Sequence, residues 1–275
     1  MNSENRPALP ASAPPSRAAT AATIAADALK GMALYSPYGW RAKIGVIVPS
    51  TNTATEAEWR VMVPEGVSYH VGRALLTGAT SQESYDIMAR GTERAAEELA
   101  TAELDLLVYC CTSGSFMVGR DALKARLSAI SGLPATTTSD AVLDAFAKLG
   151  VTRVGLATPY IDLVNHREIE FLREQGIGVT AAFGLQLGST REERRLINRV
   201  PPEVVFRMAK AVDSPEAQAI FLSCTALPTM HILAKIEADL GKPVVTSNLA
   251  TLWHCLRRLG IRDQLSGYGR LLAAF

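Results

Sequence analysis

From Ala42 onward the chain alternates short apolar, β-branched runs with longer stretches of helical spacing. Ile44–Val48 predicts a first strand, closed by Pro49, Ser50 and Asn52. Val67–Leu75 reads as a second strand. Ser84–Ala100 predicts a helix with Met88, Ala95 and Leu99 on one side. Leu104–Tyr109 predicts a third, buried strand that runs straight into Cys110-Cys111-Thr112-Ser113-Gly114. Ala122–Ile130 is helical and Pro134–Ser139 a short strand. Asp140–Leu149 is a helix, with Asp140 as expected N-cap and Gly150 just past its end. Strands and helices alternating at this pace predict parallel sheets flanked by helices.

The second half repeats the pattern. Arg153–Ala157 is a strand ended by Thr158-Pro159-Tyr160, and Val179–Leu187 is the next. Pro202–Ala211 is helical. Ala219–Leu222 is a buried strand running into Ser223-Cys224-Thr225, and Pro243–Ser247 is a short strand. Asn248–Leu259 is a helix with Asn248 as expected cap and Gly260 after it. Pro49 lies 62 residues before Cys111, and Pro159 lies 65 before Cys224; Pro134 follows Cys111 by 23, and Pro243 follows Cys224 by 19. Two copies of about 110 residues are too long and too few for a solenoid. The expected fold is therefore α/β: two pseudo-symmetric, doubly wound domains with parallel four-stranded sheets and an active site in the cleft between them. The expected divisions are an N-terminal extension over residues 1–40, a first half over 41–150 and a second half over 151–275.

Composition narrows the function classes. Of 275 residues 48% are apolar, and 28 Lys plus Arg face 27 Asp plus Glu. A net charge of +1 lacks the basic excess of a nucleic-acid binder. No run reaches the roughly 18 uninterrupted apolar residues of a membrane span. Four cysteines make no disulfide scaffold. A cytoplasmic protein handling something small is expected. Residues 1–40 hold eleven Ala, five Pro and only Glu4 and Asp27 as acids. They predict a flexible tail, with a short Ala-rich helix over 18–34 weakened by Gly31. Arg6 and Arg17 fit a transit peptide loosely, and nothing there resembles a secretory signal.

The candidate chemistry sits at the strand ends. In open parallel sheets ligands bind beyond the carboxyl ends of the strands. Both halves carry Cys-Thr at that place, which pairs Cys111 with Cys224. Cys110 is the odd one and should face the other side of its strand. Backbone N–H groups at the loop and helix start favour an anion and lower a thiol pKa. Thr112, Ser113, Ser115 and Thr225 add hydroxyl donors. Two opposed thiols suit proton transfer α to a carboxylate, or addition of one thiolate to an activated double bond. Either route puts charge on a carboxylate as an enediolate-like state, which the donors stabilise. A free cysteine is commonly only a small buried hydrophobe, and Cys110 and Cys255 read that way.

These segments resemble the aspartate/glutamate racemase superfamily. Val48-Pro49-Ser50-Thr51-Asn52-Thr53, Cys111-Thr112-Ser113-Gly114, Thr158-Pro159-Tyr160-Ile161 and Ser223-Cys224-Thr225 carry the likeness over residues 42–260. Maleate cis–trans isomerases and arylmalonate decarboxylases are the most similar branches. The resemblance implies that Cys111 adds to the maleate double bond and that Cys224 supplies or removes a proton. It implies that Asn52, Tyr160 and Asn198 bind substrate carboxylate, beside Thr112, Ser113 and Thr225. It also implies a cofactor-independent reaction on a small dicarboxylate, with no metal. Thr112-Ser113 resembles the decarboxylase hydroxyl pair, yet the decarboxylases carry glycine at the position of Cys111. A cysteine at both places favours isomerase or racemase chemistry.

Maleate to fumarate is the first expectation. An amino-acid or hydantoin racemase, or an arylmalonate-type decarboxylase, is the enzymatic alternative, and a carboxylate-binding protein the non-enzymatic one. His70, His166, His231 and His254 have no zinc spacing. No Gly-rich phosphate loop is present. Gly176-Ile177-Gly178 reads as a turn, and Arg191–Arg195 as a solvated helix start. Asn248 reads as a cap first and a site residue second. Paired subunits of this kind commonly associate, so a homodimer or higher homo-oligomer is expected.

Overall fold

In a computed structural model, which describes residues 36–275, eight strands form two sheets. Strands β1 (Ala42–Pro49), β2 (Val67–Ala74), β3 (Leu106–Tyr109) and β4 (Ala135–Thr137) form the first sheet in the order β2-β1-β3-β4. Strands β5 (Arg153–Thr158), β6 (Gly178–Gly184), β7 (Ala219–Leu222) and β8 (Val244–Thr246) form the second, in the equivalent order β6-β5-β7-β8. Every pairing is parallel. The crossovers are helical. In the first half they are α1 (Ala54–Met62), α2 (Gln82–Ala100), α3 (Thr112–Val118) and α4 (Arg120–Ser131), with α5 (Thr138–Leu149) after the last strand. In the second half they are α6 (Asp162–Glu174), α7 (Arg191–Leu196), α8 (Pro202–Ala211) and α9 (Met230–Leu240), with α10 (Ser247–Arg258) after the last strand and α11 (Arg270–Ala274) at the end. The expectations for the segment 1–35 lie outside the described residues.

The central strands are buried on both faces, so their sequences run apolar without a break. Ile44, Val46 and Val48 of β1, with Leu106, Val108 and Cys110, enter a core that continues through the second half. Ile47, Leu107, Tyr109 and Cys111 enter a separate cluster under α2 and α4. Strand alternation thus sends Cys110 and Cys111 to opposite sides of the sheet. The halves share their core rather than keeping one each: Phe146 of α5 meets Phe221 of β7 edge to face, centroids 5.4 Å apart. The equivalent helices α5 and α10 meet directly, with Thr251 donating to the Thr138 hydroxyl at 3.0 Å. Residues Tyr38–Phe275 accordingly make one compact unit.

A buried acid locks this junction. The Glu58 carboxylate accepts the N–H groups of Thr229 and Met230, at 2.5 and 2.9 Å, and the Asn248 amide at 2.7 Å. It therefore satisfies the orphan donors at the start of α9 from across the halves.

Several local expectations change. Asp140 is not the N-cap of α5; Thr137 is, and Asp140 closes a reciprocal capping box three residues on. Asn248 likewise is not a cap: Thr246 caps α10, and Asn248 is fully buried against Glu58, Thr55 and Thr225. Helices α1, α6 and α9 escape the pattern reading. The buried stripe of α6 is Val164, Asn165, Glu168 and Leu172, in which two of four positions are polar and the period is masked. The paired helix ends hold: Gly150 and Gly260 take φ of +68° and +75°, left-handed positions where glycine carries no steric penalty.

Candidate active site

The two chain halves deliver their cysteines in the same way. Cys111 and Cys224 are each the second residue past a buried central strand, β3 and β7. Cys111 is the N-cap of α3, and its Sγ accepts the Gly114 N–H at 3.4 Å. Cys224 Sγ accepts the Ala226 N–H, also at 3.4 Å. Each thiol has a tyrosine hydroxyl beside it, Tyr109 for Cys111 and Tyr160 for Cys224. Cys224 holds a φ of +136°, which an L-residue rarely adopts. Its N–H is tied to the Ser247 hydroxyl at 3.0 Å.

Both cysteines line one hollow at the carboxyl ends of the two sheets, with a cavity volume of about 60 Å³. Asn52, Ser113, Tyr160 and Thr225 line it too, and so do Tyr85, Thr80 and Arg194, which sequence reasoning did not assign to the site. Leu76, Met88, Leu187 and Ile197 supply apolar wall. Arg194 is the one charged side chain among the lining residues.

The expected substrate-binding residues divide by what their polar atoms already do. Asn52 reaches the wall, but its amide is spent within the protein. Oδ1 accepts from the N–H groups of Ala54 and Thr55, and Nδ2 donates to Thr55 Oγ1 and Thr225 Oγ1 at 2.9 and 3.1 Å. The Thr225 hydroxyl also donates to the Cys110 carbonyl at 3.2 Å. Thr112 turns away from the hollow and donates to Ser247 Oγ at 2.8 Å, the oxygen that also holds Cys224. Asn198 is not a lining residue: it clamps the loop after β1, accepting from Thr53 N–H and donating to the Thr51 carbonyl, both at 3.0 Å. Ser113 and Tyr160 keep their hydroxyls at the thiols: Ser113 Oγ lies 3.9 Å from Cys111 Sγ, with the Tyr85 hydroxyl as neighbour, and Tyr160 stands beside Cys224.

Electrostatics separate the two thiols. Burial pushes Cys111 up, while the Gly114 amide, the Ser113 and Tyr109 hydroxyls and the charge of Arg194 pull it back. Burial pushes Cys224 up to about 12; Tyr160 and the Ala226 amide offset part of this, and a neighbouring Cys111 thiolate adds to it. Cys111 thus has a cation and several donors that favour its thiolate, and a thiolate there holds the proton on Cys224 more firmly. Cys110 lies on the far face against Thr55 and Asn248, and Cys255 is fully buried within α10. Among the histidines, buried His254 is satisfied structurally, held by Asp144 at 2.9 Å and Thr136 at 2.8 Å.

The Arg191–Arg195 segment does start a helix, α7, but it is not wholly solvated. Arg194 is 8% exposed and turns inward while its neighbours face water. A run of mixed charges hid this, since helical phase alone decides which of them faces the core.

A family model described as arylmalonate decarboxylase matches residues 44–272, nearly the whole described chain. The chain belongs to the arylmalonate decarboxylase family. Within it, the chain is 33% identical to arylmalonate decarboxylase of Bordetella bronchiseptica over 232 residues, which is 83% of this chain and 95% of the relative. It is 27% identical to maleate isomerase of Geobacillus stearothermophilus over 248 residues, 84% of this chain and 97% of the relative. A crystal structure of Nocardia farcinica maleate cis–trans isomerase, a cysteine-to-serine variant with a covalently bound succinylcysteine intermediate, shares the fold. Its TM-score is 0.79 at 22% identity, over 85% of this chain and 99% of that one.

Proposed function

We propose that this protein is a cofactor-independent isomerase that converts maleate to fumarate through a covalent adduct on Cys111. The observation that carries the reading is the placement of two thiols and a single cation around one small hollow. The maleate isomerase relatives support it, and the succinylcysteine of the Nocardia enzyme is an adduct of the kind invoked.

The chemistry follows from the asymmetry of the thiols. Cys111 gives its proton to solvent, and its thiolate sulfur adds to one alkene carbon of maleate, forming a C–S bond. The π pair moves to the neighbouring carbon and its carboxylate, an enediolate-like state stabilised by hydroxyl and amide donors. The former double bond is now single and rotates. Cys224 delivers a proton to that carbon to rest the adduct and withdraws it again. The pair then re-forms the double bond in the trans geometry and expels the Cys111 thiolate. Each turnover returns the Cys111 thiolate and the Cys224 thiol, so no acid, base or redox partner is consumed. Asn52 and Thr225 shape the wall and hold the halves in register. Tyr160 positions the Cys224 thiol.

A second reading, decarboxylation of a malonate through Cys224 alone, is favoured by the Thr112-Ser113 pair and by the closer identity to the Bordetella enzyme. The hollow weighs against it. On this measure a water takes about 10–15 Å³, so 60 Å³ is of the scale of a four-carbon diacid, and an aryl ring requires the walls to move. Proton NMR of the protein with maleate, an arylmalonate and amino-acid enantiomers in deuterium oxide separates the readings. Fumarate formation supports the isomerase. Loss of carbon dioxide from the malonate, or label washed into an α carbon without geometric change, contradicts it. Among the described residues no helix is long and apolar enough to cross a membrane.

A further inference from the structure

Arg194 is buried without a counter-charge. One terminal nitrogen, Nη2, donates to Thr80 Oγ1 at 3.0 Å. The other, Nη1, is buried and has no hydrogen-bond partner among the described residues. No carboxylate lines the hollow, and among the described residues no ion pair involves Arg194. A buried cation lacking an anion is strongly unfavourable, because the desolvation is not repaid. Burial pulls the guanidinium below its ordinary value, and the Tyr85 hydroxyl and Cys111 thiol draw it back up. Arg194 and both of those groups line the hollow, which puts the unpaired guanidinium at the wall of the space where a ligand would lie.

The side chain is held in place from both halves. The Thr80 N–H donates to the Gly188 carbonyl at 2.9 Å, joining the loop after β2 to the loop after β6. Gly188 has a φ of +126°, and a Cβ there would stand 2.8 Å from Thr80 Oγ1. The Glu193 carboxylate accepts the Ser189 N–H at 2.8 Å, and Thr190 caps α7. Thr80 thus orients the guanidinium and leaves Nη1 without a partner, a donor whose direction is fixed before an anion arrives.

We infer that Arg194 anchors the second carboxylate of the substrate, the one remote from the carbon attacked by sulfur, and so makes the site selective for dianions over their half-amides. The inference rests on the proposed reading of the hollow as a dicarboxylate site and adds the discriminating residue. A planar fork meets a carboxylate with two parallel bonds, and an amide in its place brings an N–H against a donor. The mismatch leaves buried donors unpaired, which is how a site rejects an isostere strongly.

The test compares wild type with Arg194→Met and Arg194→Lys on maleate and on maleamate, its monoamide. In Arg194→Met, kcat/KM for maleate should fall roughly 10²–10³-fold, mainly through KM, with maleamate changed less than about threefold. Arg194→Lys keeps the charge without the fork and should fall between. Equal losses on both substrates, as from a role in folding or in ionising Cys111, overturn the inference. So does wild-type behaviour of folded Arg194→Met. Calorimetry with succinate and succinamate, which cannot isomerise, separates this from the proposed function. Arg194-dependent preference for succinate upholds the anchor even if maleate is not turned over. Equal affinity for the two ligands in wild type overturns the anchor even if it is.

Discussion

Glu168 sits under the second cysteine as a carboxylic acid, and its replacement by glutamine should flatten the pH dependence of stability. The group is 1% exposed. Ser223 Oγ donates to Oε1 at 2.5 Å, and Oε2 has no partner among the described residues. Glu58, in the equivalent helix of the first half, receives four hydrogen bonds on its carboxylate, from the Thr229 and Met230 N–H groups, the Thr229 hydroxyl and the Asn248 amide; Glu168 receives one. Burial therefore dominates and pushes Glu168 from 4.5 up to about 8, the Ser223 bond opposing it. Below pH 4.5 the acid is protonated in both native and unfolded chains. Between pH 4.5 and about 8 the unfolded chain ionises while the native one does not, so stability falls as pH rises and levels off above the native value. Each pH unit in that window is worth about 1.4 kcal/mol, which gives a loss on the order of 4–5 kcal/mol. Glu168→Gln keeps the shape and the Ser223 bond and cannot ionise. At roughly 2–4 °C per kcal/mol for a chain of this size, the variant should melt several degrees above wild type near pH 8 and close to it near pH 4.5. A shallower slope of the same sign should remain, because burial also raises Glu58 and Glu237. Melting curves collected across that window in both proteins decide it; parallel pH dependences would refute the assignment of a protonated Glu168.

Gly114→Ala should both destabilise the protein and depress turnover. Its Cβ would collide with the buried Tyr109 hydroxyl and stand 3.0 Å from Cys111 Sγ, an overpacking worth about 1–3 kcal/mol that a melting temperature and a progress curve would register together. Iodoacetamide near pH 8 should label Cys111 first, because Cys224 is held near 12 by burial and Cys110 and Cys255 do not line the hollow. Peptide mapping that finds Cys224 alkylated ahead of Cys111 would reverse the assignment of nucleophile and proton holder.

The legible parts of this chain are those where pattern and role coincide. The repeat was visible because β3 and β7 are short apolar runs ending two residues before a cysteine, and because each half closes on a helix and a left-handed glycine. Cys110 could be set apart from Cys111 by strand alternation alone. What escaped was set by tertiary context. Asn198 has the right residue type near the right place, yet its amide faces the backbone of the loop after β1, a choice made by packing between the halves. Asn248 looks like a cap in sequence and is instead a partner of Glu58, because Thr246 already holds the capping position. Glu168 and Arg194 are charged residues on helices, where solvent exposure is the ordinary expectation. Their burial follows from the phase of α6 and α7 against the sheets, which the charge pattern does not reveal. The two neighbouring hydroxyls divide in the same way: Thr112 supports the Cys224 loop through Ser247, and Ser113 stands beside the Cys111 thiol.

In the proposed reaction Cys111 forms the covalent bond and Cys224 manages the proton. Intact-protein and peptide mass spectrometry of Cys224→Ser after incubation with maleate tests it most directly. The mass of one maleate should accumulate on the peptide carrying Cys111, while Cys111→Ser, equally folded, should gain nothing and turn nothing over. An adduct found on Cys224 in Cys111→Ser, or undiminished fumarate formation by either variant, would contradict it.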